Sequence, residues 1–298
     1  MLAGAHRPTL TALLASACFQ DIPVDTDATS TSTADATTAD ATTVSATSTA
    51  TDGATTADSA TEGELEPATA FRLTSLAFVD PHLYFMLDGM TCSDITALLN
   101  GAGIAPNIED GSLNLVLLIH PLELDSAAPT LRISEANCLG DVCSDVMGSP
   151  IATTKAERRL DGACDAVVEG SRNLDYIEPM LAVSEPPCLI SEPTDFAFRI
   201  DQDITRLPLE QMVITASYGE GTLIRGTLRG WLSEAAIKGI TGEVSIYPFN
   251  LWETIAGAGG CQLNDPPIDD LDDLNPNGAA VPGLWIYFNF EAAEITWL

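Results

Sequence analysis

The sequence predicts a mostly β domain, an antiparallel β-sandwich-like fold with a few short helices, preceded by a signal peptide and a disordered linker. Three observations predict the β domain. Its apolar segments are short, Gly and Pro residues separate them, and the segments with helical signals run for only about two turns. This combination is typical of two packed antiparallel sheets.

The strands are clearest in three places. Residues 212–218 and 222–231 flank Gly219-Glu220-Gly221, which predicts a hairpin. Residues 113–119 form an apolar run of strand length, which predicts a strand that is buried on both faces. Residues 284–290 predict a last strand with alternate aromatic and aliphatic residues on one face.

Two short helices are predicted from the residues that can cap them. Ser233 can cap a helix over residues 234–238. Asn250, with Glu253 three residues later, fits a capping box, and the second helix is expected to stop at Gly257.

The charge of the chain excludes one class of partner. The formal net charge is -31, from 43 acidic and 12 basic residues. Such a surface repels the phosphates of nucleic acids and anionic lipid headgroups. We therefore expect no nucleic-acid partner, and any attachment to a membrane must use something other than a basic patch. No apolar run of about 18 residues occurs, so the sequence predicts no membrane-spanning helix.

The start of the chain has the features of a leader for export. His6 and Arg7 make a weakly basic start, residues 9–14 form a short apolar core, and small residues follow up to Ala17. Signal peptidases require small residues before the cleavage point. The pattern predicts a signal peptide over residues 1–17.

Residues 14–18, Leu-Ala-Ser-Ala-Cys, resemble a bacterial lipobox, although Ala15 stands where Leu is usual. In such lipoproteins the leader is cut before the cysteine, and the thiol carries diacylglycerol. The resemblance implies lipidation at Cys18 and a membrane partner through this anchor. The alternative is an ordinary secretory signal that is cut after Ala17 and leaves a free thiol.

Residues 21–60 consist almost entirely of Thr, Ala, Ser and Asp. Burying so little apolar surface cannot offset the loss of chain entropy on folding. This segment is therefore predicted to be disordered. A coil of about fifty residues reaches roughly 40 Å. We divide the chain into the signal peptide, a lipidated cysteine with its tether (residues 18–70), and a cysteine-stapled globular domain (residues 71–298).

The Thr/Asp-rich tether behind a lipobox resembles those of myxobacterial surface lipoproteins. Residues 207–236 and the pair Pro187-Cys188 are similar to segments of uncharacterised members of that group. The resemblance implies export and outer-membrane anchoring, with the domain facing the periplasm or the cell surface. It implies no activity.

Cysteine usage agrees with export. The chain has seven cysteines, and assigning one to lipid leaves an even set of six: Cys92, Cys138, Cys143, Cys164, Cys188 and Cys261. Disulfides persist in oxidising compartments. Cys138–Cys143 is the first pair that we predict, because Gly140 allows a tight turn between them. Cys164–Cys188 and Cys92–Cys261 follow, although the sequence does not rank the remaining connectivities. Zinc is disfavoured because no Cys-x2-Cys pair occurs.

Most catalytic signatures are missing, including Gly-x-Ser-x-Gly, Ser-x-x-Lys, His-Glu-x-x-His and the phosphate-binding Gly-x4-Gly-Lys. The globular domain has two histidines, His82 and His120, each beside a proline. Together with Asp80 they would suit a metal or a hydrolase if the fold brought them together. We favour two separate histidines with local hydrogen bonds.

One acidic segment has the spacing of a calcium loop. Asp273, Asn275 and Asn277, followed by Gly278, match ligand positions one, three and five and the turn glycine. Leu284 stands at position twelve, where a bidentate Glu is required. Calcium is therefore a candidate cofactor, and an ordinary acidic loop is the alternative that we favour.

Five aromatic residues near the end of the chain could stack on sugars or pack within the sheet: Trp285, Tyr287, Phe288, Phe290 and Trp297. Alternating aromatics in a strand are usually core on one face and cross-strand packing on the other, so we favour packing.

Taken together, these patterns predict a cell-envelope or surface lipoprotein. Its β domain is expected to be non-catalytic, binding an unknown protein or glycan or serving a structural role. The alternative is an envelope hydrolase that uses paired carboxylates on glycans. The many acidic residues offer no way to nominate such a pair from the sequence.

Overall fold

The first strand of the globular domain pairs along its length with the last. In the computed structural model, Ala70 lies opposite Ile295 and Asp80 lies opposite Tyr287, in antiparallel register. The structure describes residues 68–86, 92–121, 128–164, 167–171, 179–182, 184–200, 206–219, 222–244, 247–255, 276 and 281–298.

The described residues contain fourteen strands. They are β1 (Thr69–Asp80), β2 (Tyr84–Met86), β3 (Cys92–Asp94), β4 (Leu115–His120), β5 (Thr130–Leu139), β6 (Val142–Asp145), β7 (Ile151–Arg159), β8 (Cys188–Ser191), β9 (Thr194–Phe198), β10 (Leu207–Gly219), β11 (Thr222–Ser233), β12 (Thr241–Val244), β13 (Tyr247–Asn250) and β14 (Gly283–Trp297). The helices are short: α1 (Thr96–Leu98), a π-helix (Leu99–Ile104), α2 (Ala105–Glu109), α3 (Glu234–Lys238) and α4 (Leu251–Thr254). No described helix is long and apolar enough to cross a membrane.

Eight of the described strands form one closed antiparallel sheet, in the order β1–β4–β5–β7–β8–β10–β11–β14, and β14 pairs again with β1. Each neighbour in the sheet is also the next of these strands along the chain, as in an up-and-down barrel. The predictions of a mostly β domain and of a few short helices are confirmed. The β-sandwich is wrong, because β1 bonds to strands on both sides and leaves no edge at which two sheets could separate.

The connections between barrel strands carry the other elements. The β2–β3 hairpin and the first helices lie between β1 and β4, and α3, the β12–β13 hairpin and α4 lie between β11 and β14. Strand β6 pairs antiparallel with β5 and parallel with the end of β14. Strand β9 continues along β10 beyond the end of β8.

Apolar side chains fill the interior of the barrel. Every barrel strand contributes to this cluster, through residues such as Phe71, Leu117, Ile133, Ala152, Leu189, Ile214, Leu228 and Phe288. The ring of Phe288 packs edge-on against Phe78, with centroids 5.1 Å apart. An eight-stranded barrel is about wide enough for side chains to fill it. The described interior is therefore a packed core. Side chains alternate between the two faces of each strand, so those on the other face lie on the outer wall and are available for other contacts.

A second set of contacts holds the segment between β7 and β8 on the outer wall. We call the described residues between positions 164 and 188 the strap. The Tyr287 hydroxyl accepts the N–H of Val168 at 3.1 Å. Asn289 accepts the N–H of Ala182 and donates to the carbonyl of Met180, each at 2.8 Å. The strap thereby covers an aromatic cluster that contains Val79, Trp231 and Trp285.

Two disulfides lie within the described residues, Cys138–Cys143 and Cys164–Cys188, and both are pairs expected from the sequence. The first joins direct cross-strand neighbours of the β5–β6 hairpin, whose two-residue turn places a glycine at φ +64. The second joins the two ends of the strap. Cys92 is also disulfide-bonded. Its expected partner, Cys261, and the lipidation candidate, Cys18, lie outside the described residues.

One glycine of β11 makes room for a ring of the neighbouring strand. Gly226 pairs with Phe290 of β14. A Cβ atom added at Gly226 would lie 2.2 Å from a Phe290 ring carbon and 2.5 Å from the carbonyl oxygen of Thr215. The aromatic ring thus occupies the space that a side chain would need.

The Gly226→Ala substitution should therefore lower the free energy of unfolding by about 2 kcal/mol, because the ring and the backbone must move. Urea denaturation measures this loss. Gly101→Ala is the matched control, since nothing lies within 4 Å of a Cβ atom there. Equal stability of the two variants would contradict the close packing of Phe290 on Gly226.

Candidate functional site

The fold separates the two histidines that the sequence singled out. His82 follows the end of β1, whereas His120 ends β4 close to the start of β1, because Thr69 pairs with Ile119. A strand of this length, at about 3.3 Å per residue, places the two imidazoles roughly 30 Å or more apart. A joint site of His82 and His120 with Asp80 is therefore excluded.

His82 is buried and has a local acidic partner. Its Nδ1 lies 2.6 Å from Oδ2 of Asp94, and the other carboxylate oxygen of Asp94 accepts the N–H of Thr96 at 2.9 Å. The Thr96 hydroxyl accepts the N–H of Leu83 at 2.8 Å. These bonds join the residues just before β2 and the end of β3 to the start of α1. Burial alone would raise the pKa of Asp94, but the hydrogen bonds from His82 and Thr96 outweigh it and hold the pKa below its usual range.

The lowered pKa of Asp94 predicts how the stability of the fold depends on pH. A carboxyl group with a lowered folded-state pKa stabilises the fold above its unfolded pKa of about 3.9, and the contribution disappears as the pH falls through the folded-state pKa. The wild type should therefore be more stable than Asp94→Asn near neutral pH, and the difference should shrink below about pH 4. Thermal melts of both proteins across this range test it. A difference that stays constant from neutral to acid pH would contradict the lowered pKa.

The candidate calcium ligands Asp273, Asn275 and Asn277 lie outside the described residues, so calcium stays a prediction. Within the part of the chain that the structure describes, no group of three or more His, Cys, Asp or Glu residues is placed to hold a metal ion.

The aromatic residues of the last strand lie within the protein, as the packing interpretation expects. Phe288 and Phe290 belong to the barrel core. Trp285 and Tyr287 are buried on the outer wall in the cluster beneath the strap. Trp297 is half-buried, with the guanidinium of Arg132 5.8 Å from its ring centroid. A sugar-stacking platform on this strand is therefore wrong, because its rings do not share one exposed face.

An arginine and a glutamate link two strands at one end of the barrel wall. Arg206 donates two parallel bonds to Glu135 of β5, at 2.6 and 2.9 Å, and one to the carbonyl of Ala197 of β9, at 3.2 Å. The Ser149 hydroxyl also donates to Glu135, at 3.0 Å. No hydrogen-bonded ladder joins β5 to β9 in the described residues. We call this set the β5–β9 clasp, because side chains join two strands that are not neighbours in the sheet.

A pocket opens beside the clasp. Its volume is about 170 Å³, and its polar lining consists of Ser112, Asn114, Glu135, Asn137 and Arg199. We call it the rim pocket. One wall is the turn before β4, which Asp110 fixes by accepting the N–H of Ser112 at 2.8 Å. Asn114 stabilises the same turn by donating to the carbonyl of Gly111 at 2.5 Å.

Arg199 lines the rim pocket, and Arg206 and Arg72 lie beside residues of its lining. Arg206 is neutralised by Glu135, and Arg132 pairs with Asp145. Arg199, which is exposed, and Arg72, which donates to the carbonyl of Ile108 at 3.2 Å, have no carboxylate partner among the described residues.

Comparison with family models, with curated proteins and with solved structures finds no match for this chain. The rim pocket was also missed from the sequence. Its lining comes from residues 111–114, 135–137, 146 and 199, and none of these segments contains a recognisable motif. No local sequence pattern could have indicated the pocket, because the fold brings these segments together.

The clasp makes a prediction about stability. Arg206→Ala should cost about 1.5–3 kcal/mol of unfolding free energy, because Glu135 loses a bidentate charged partner in a largely buried position. Arg159→Ala is the control, since Arg159 and Glu157 form an ion pair in open solvent, where water screens the interaction. Urea unfolding compares the two variants. A loss at position 206 no larger than at position 159 would show that the clasp does not hold the barrel wall.

Proposed function

We propose that this protein is a cell-envelope or surface lipoprotein, anchored through Cys18, whose barrel is a non-catalytic binding domain on a disordered tether. The observation that carries the proposal is the state of the cysteines. All five cysteines in the described residues are disulfide-bonded. Disulfides persist in oxidising compartments outside the cytosol, so this state supports export. The leader and the lipobox-like residues 14–18 supply a route for it.

Two features of the barrel support binding through its outside. The interior is packed with apolar side chains, so a ligand is expected at the rim or on the wall. The rim pocket combines hydroxyl and amide groups with an arginine that has no ion-pair partner among the described residues. Such groups can bind and orient a polar ligand without catalysing a reaction.

The hydrolase alternative needs two carboxyl groups that face each other across about 5–10 Å. The two half-buried carboxylates described above have other partners. Glu135 is bound by Arg206, and Asp94 is bound by His82. Because each carboxylate is bound by a partner that stabilises the fold, neither is poised for acid–base catalysis. This favours a binding function over the hydrolase.

Lipid attachment explains how so acidic a chain would stay at a membrane. A net charge of -31 opposes adsorption to anionic lipid, whereas a diacylglyceryl chain inserts whatever the charge of the protein. The tether would then hold the domain away from the bilayer, on the periplasmic or outer side, where a protein or glycan ligand can reach it.

The full chain, expressed in a bacterium with a lipoprotein pathway, should partition into the detergent phase in a Triton X-114 separation. Cys18→Ala should move it to the aqueous phase without changing its circular dichroism spectrum. Mass spectrometry should find a mature N-terminus at Cys18 that carries lipid. Wild-type protein in the aqueous phase, with an unmodified thiol at residue 18, would support the ordinary secretory signal and overturn the anchor.

A further inference from the structure

We infer that the rim pocket binds a small hydroxylated monocarboxylate of sugar-acid size, with Arg199 as the residue that binds the carboxylate. The inference rests on the proposed binding function and adds the site and the class of ligand. A volume of about 170 Å³ suits a molecule of monosaccharide size. It is well below the roughly 300 Å³ at which pockets for drug-sized ligands begin.

The arginines determine the charge of the ligand. Arg206 is occupied, because Glu135 takes both of its parallel donor positions. Arg199 lines the same pocket, is exposed, and has no ion-pair partner among the described residues. A guanidinium presents a planar fork of donors that matches the two oxygens of a carboxylate. An anionic ligand therefore has one free, correctly shaped partner here.

A nearby acid favours a single negative charge on the ligand. Glu135 is neutralised by Arg206, whereas Asp110, which is bonded to the turn that forms the pocket wall, has no cationic partner among the described residues. At physiological ionic strength charges act over about 8 Å, so the Asp110 carboxylate lies within range of a ligand. A phosphate dianion would be repelled about twice as strongly as a monocarboxylate, while Arg199, the one cationic residue of the described lining, supplies a single compensating charge.

The remaining lining favours hydroxyl groups over rings. The Asn137 amide can both donate and accept hydrogen bonds, as hydroxyls do, and the Ser112 hydroxyl, which donates to Oδ1 of Asn107 at 3.0 Å, can accept one. None of the described lining residues is aromatic, so an aromatic acid would have no stacking partner. Small apolar residues, among them Ala136 and Val146, leave space for the carbon skeleton of a sugar ring.

The test is NMR titration of the full chain carrying Cys18→Ala, labelled with nitrogen-15, with D-glucuronate, D-glucose and glucose 6-phosphate as probes. Glucuronate should produce saturable shifts of the Ser112 and Asn137 amides. Glucose and glucose 6-phosphate should each bind at least about tenfold more weakly, because one lacks the carboxylate and the other carries a dianion.

Arg199→Gln should weaken glucuronate binding by at least about tenfold, through loss of the charged partner. Arg225→Gln is the matched control, since Arg225 is exposed on β11 and has no ion pair in the described structure. It should leave binding unchanged. Both side chains are exposed, so both variants should have the melting temperature of the wild type.

Several outcomes would overturn the inference. They are the absence of saturable shifts at the rim with glucuronate, glucose binding as tightly as glucuronate, tighter binding of glucose 6-phosphate, and wild-type affinity in Arg199→Gln. None of them bears on anchoring, which detergent partitioning measures with the unsubstituted chain. Rim binding in a protein that does not partition into detergent would overturn only the lipid anchor.

Discussion

The pairing of β1 with β14 is the constraint on which the rest of the structure depends. It joins segments more than about 200 residues apart in the chain and turns an open sheet into a closed one. Closure satisfies the backbone groups at what would otherwise be two edges, and it forces one face of every barrel strand into a common interior. The aromatic and aliphatic side chains on that face then fill the barrel from all eight strands.

A filled interior moves function to the outside of the barrel. Two described segments cover apolar side chains of the wall. The strap lies over the aromatic cluster of β11 and β14. Cys143 of β6 packs against Val116 and Leu118 of β4. The arginine and glutamate of the clasp join β5 to β9, which are not neighbours in the sheet, and the rim pocket opens beside this joint. The candidate site therefore lies beside a side-chain contact between strands that the backbone ladder does not join.

Local features were predictable because they depend on neighbouring residues. The hairpin around Gly219-Glu220-Gly221 corresponds to β10 and β11. Ser233 caps α3, and Asn250 caps α4, which ends at Thr254, three residues before the expected glycine. Closure was not predictable, since alternating strands and turns look the same in a sandwich and in a barrel. The rim pocket was hidden for a similar reason: the fold assembles it from segments that are far apart in sequence.

The most direct test of this account is a search for nuclear Overhauser effects between β1 and β14. If the barrel closes as described, backbone protons of Arg72 and Ala293, and of Ala77 and Asn289, should show cross-strand contacts. The amides of β1 should also exchange slowly with solvent, because both edges of that strand are bonded. Absent contacts between these pairs, with fast exchange along one edge of β1, would show an open sheet and contradict the account.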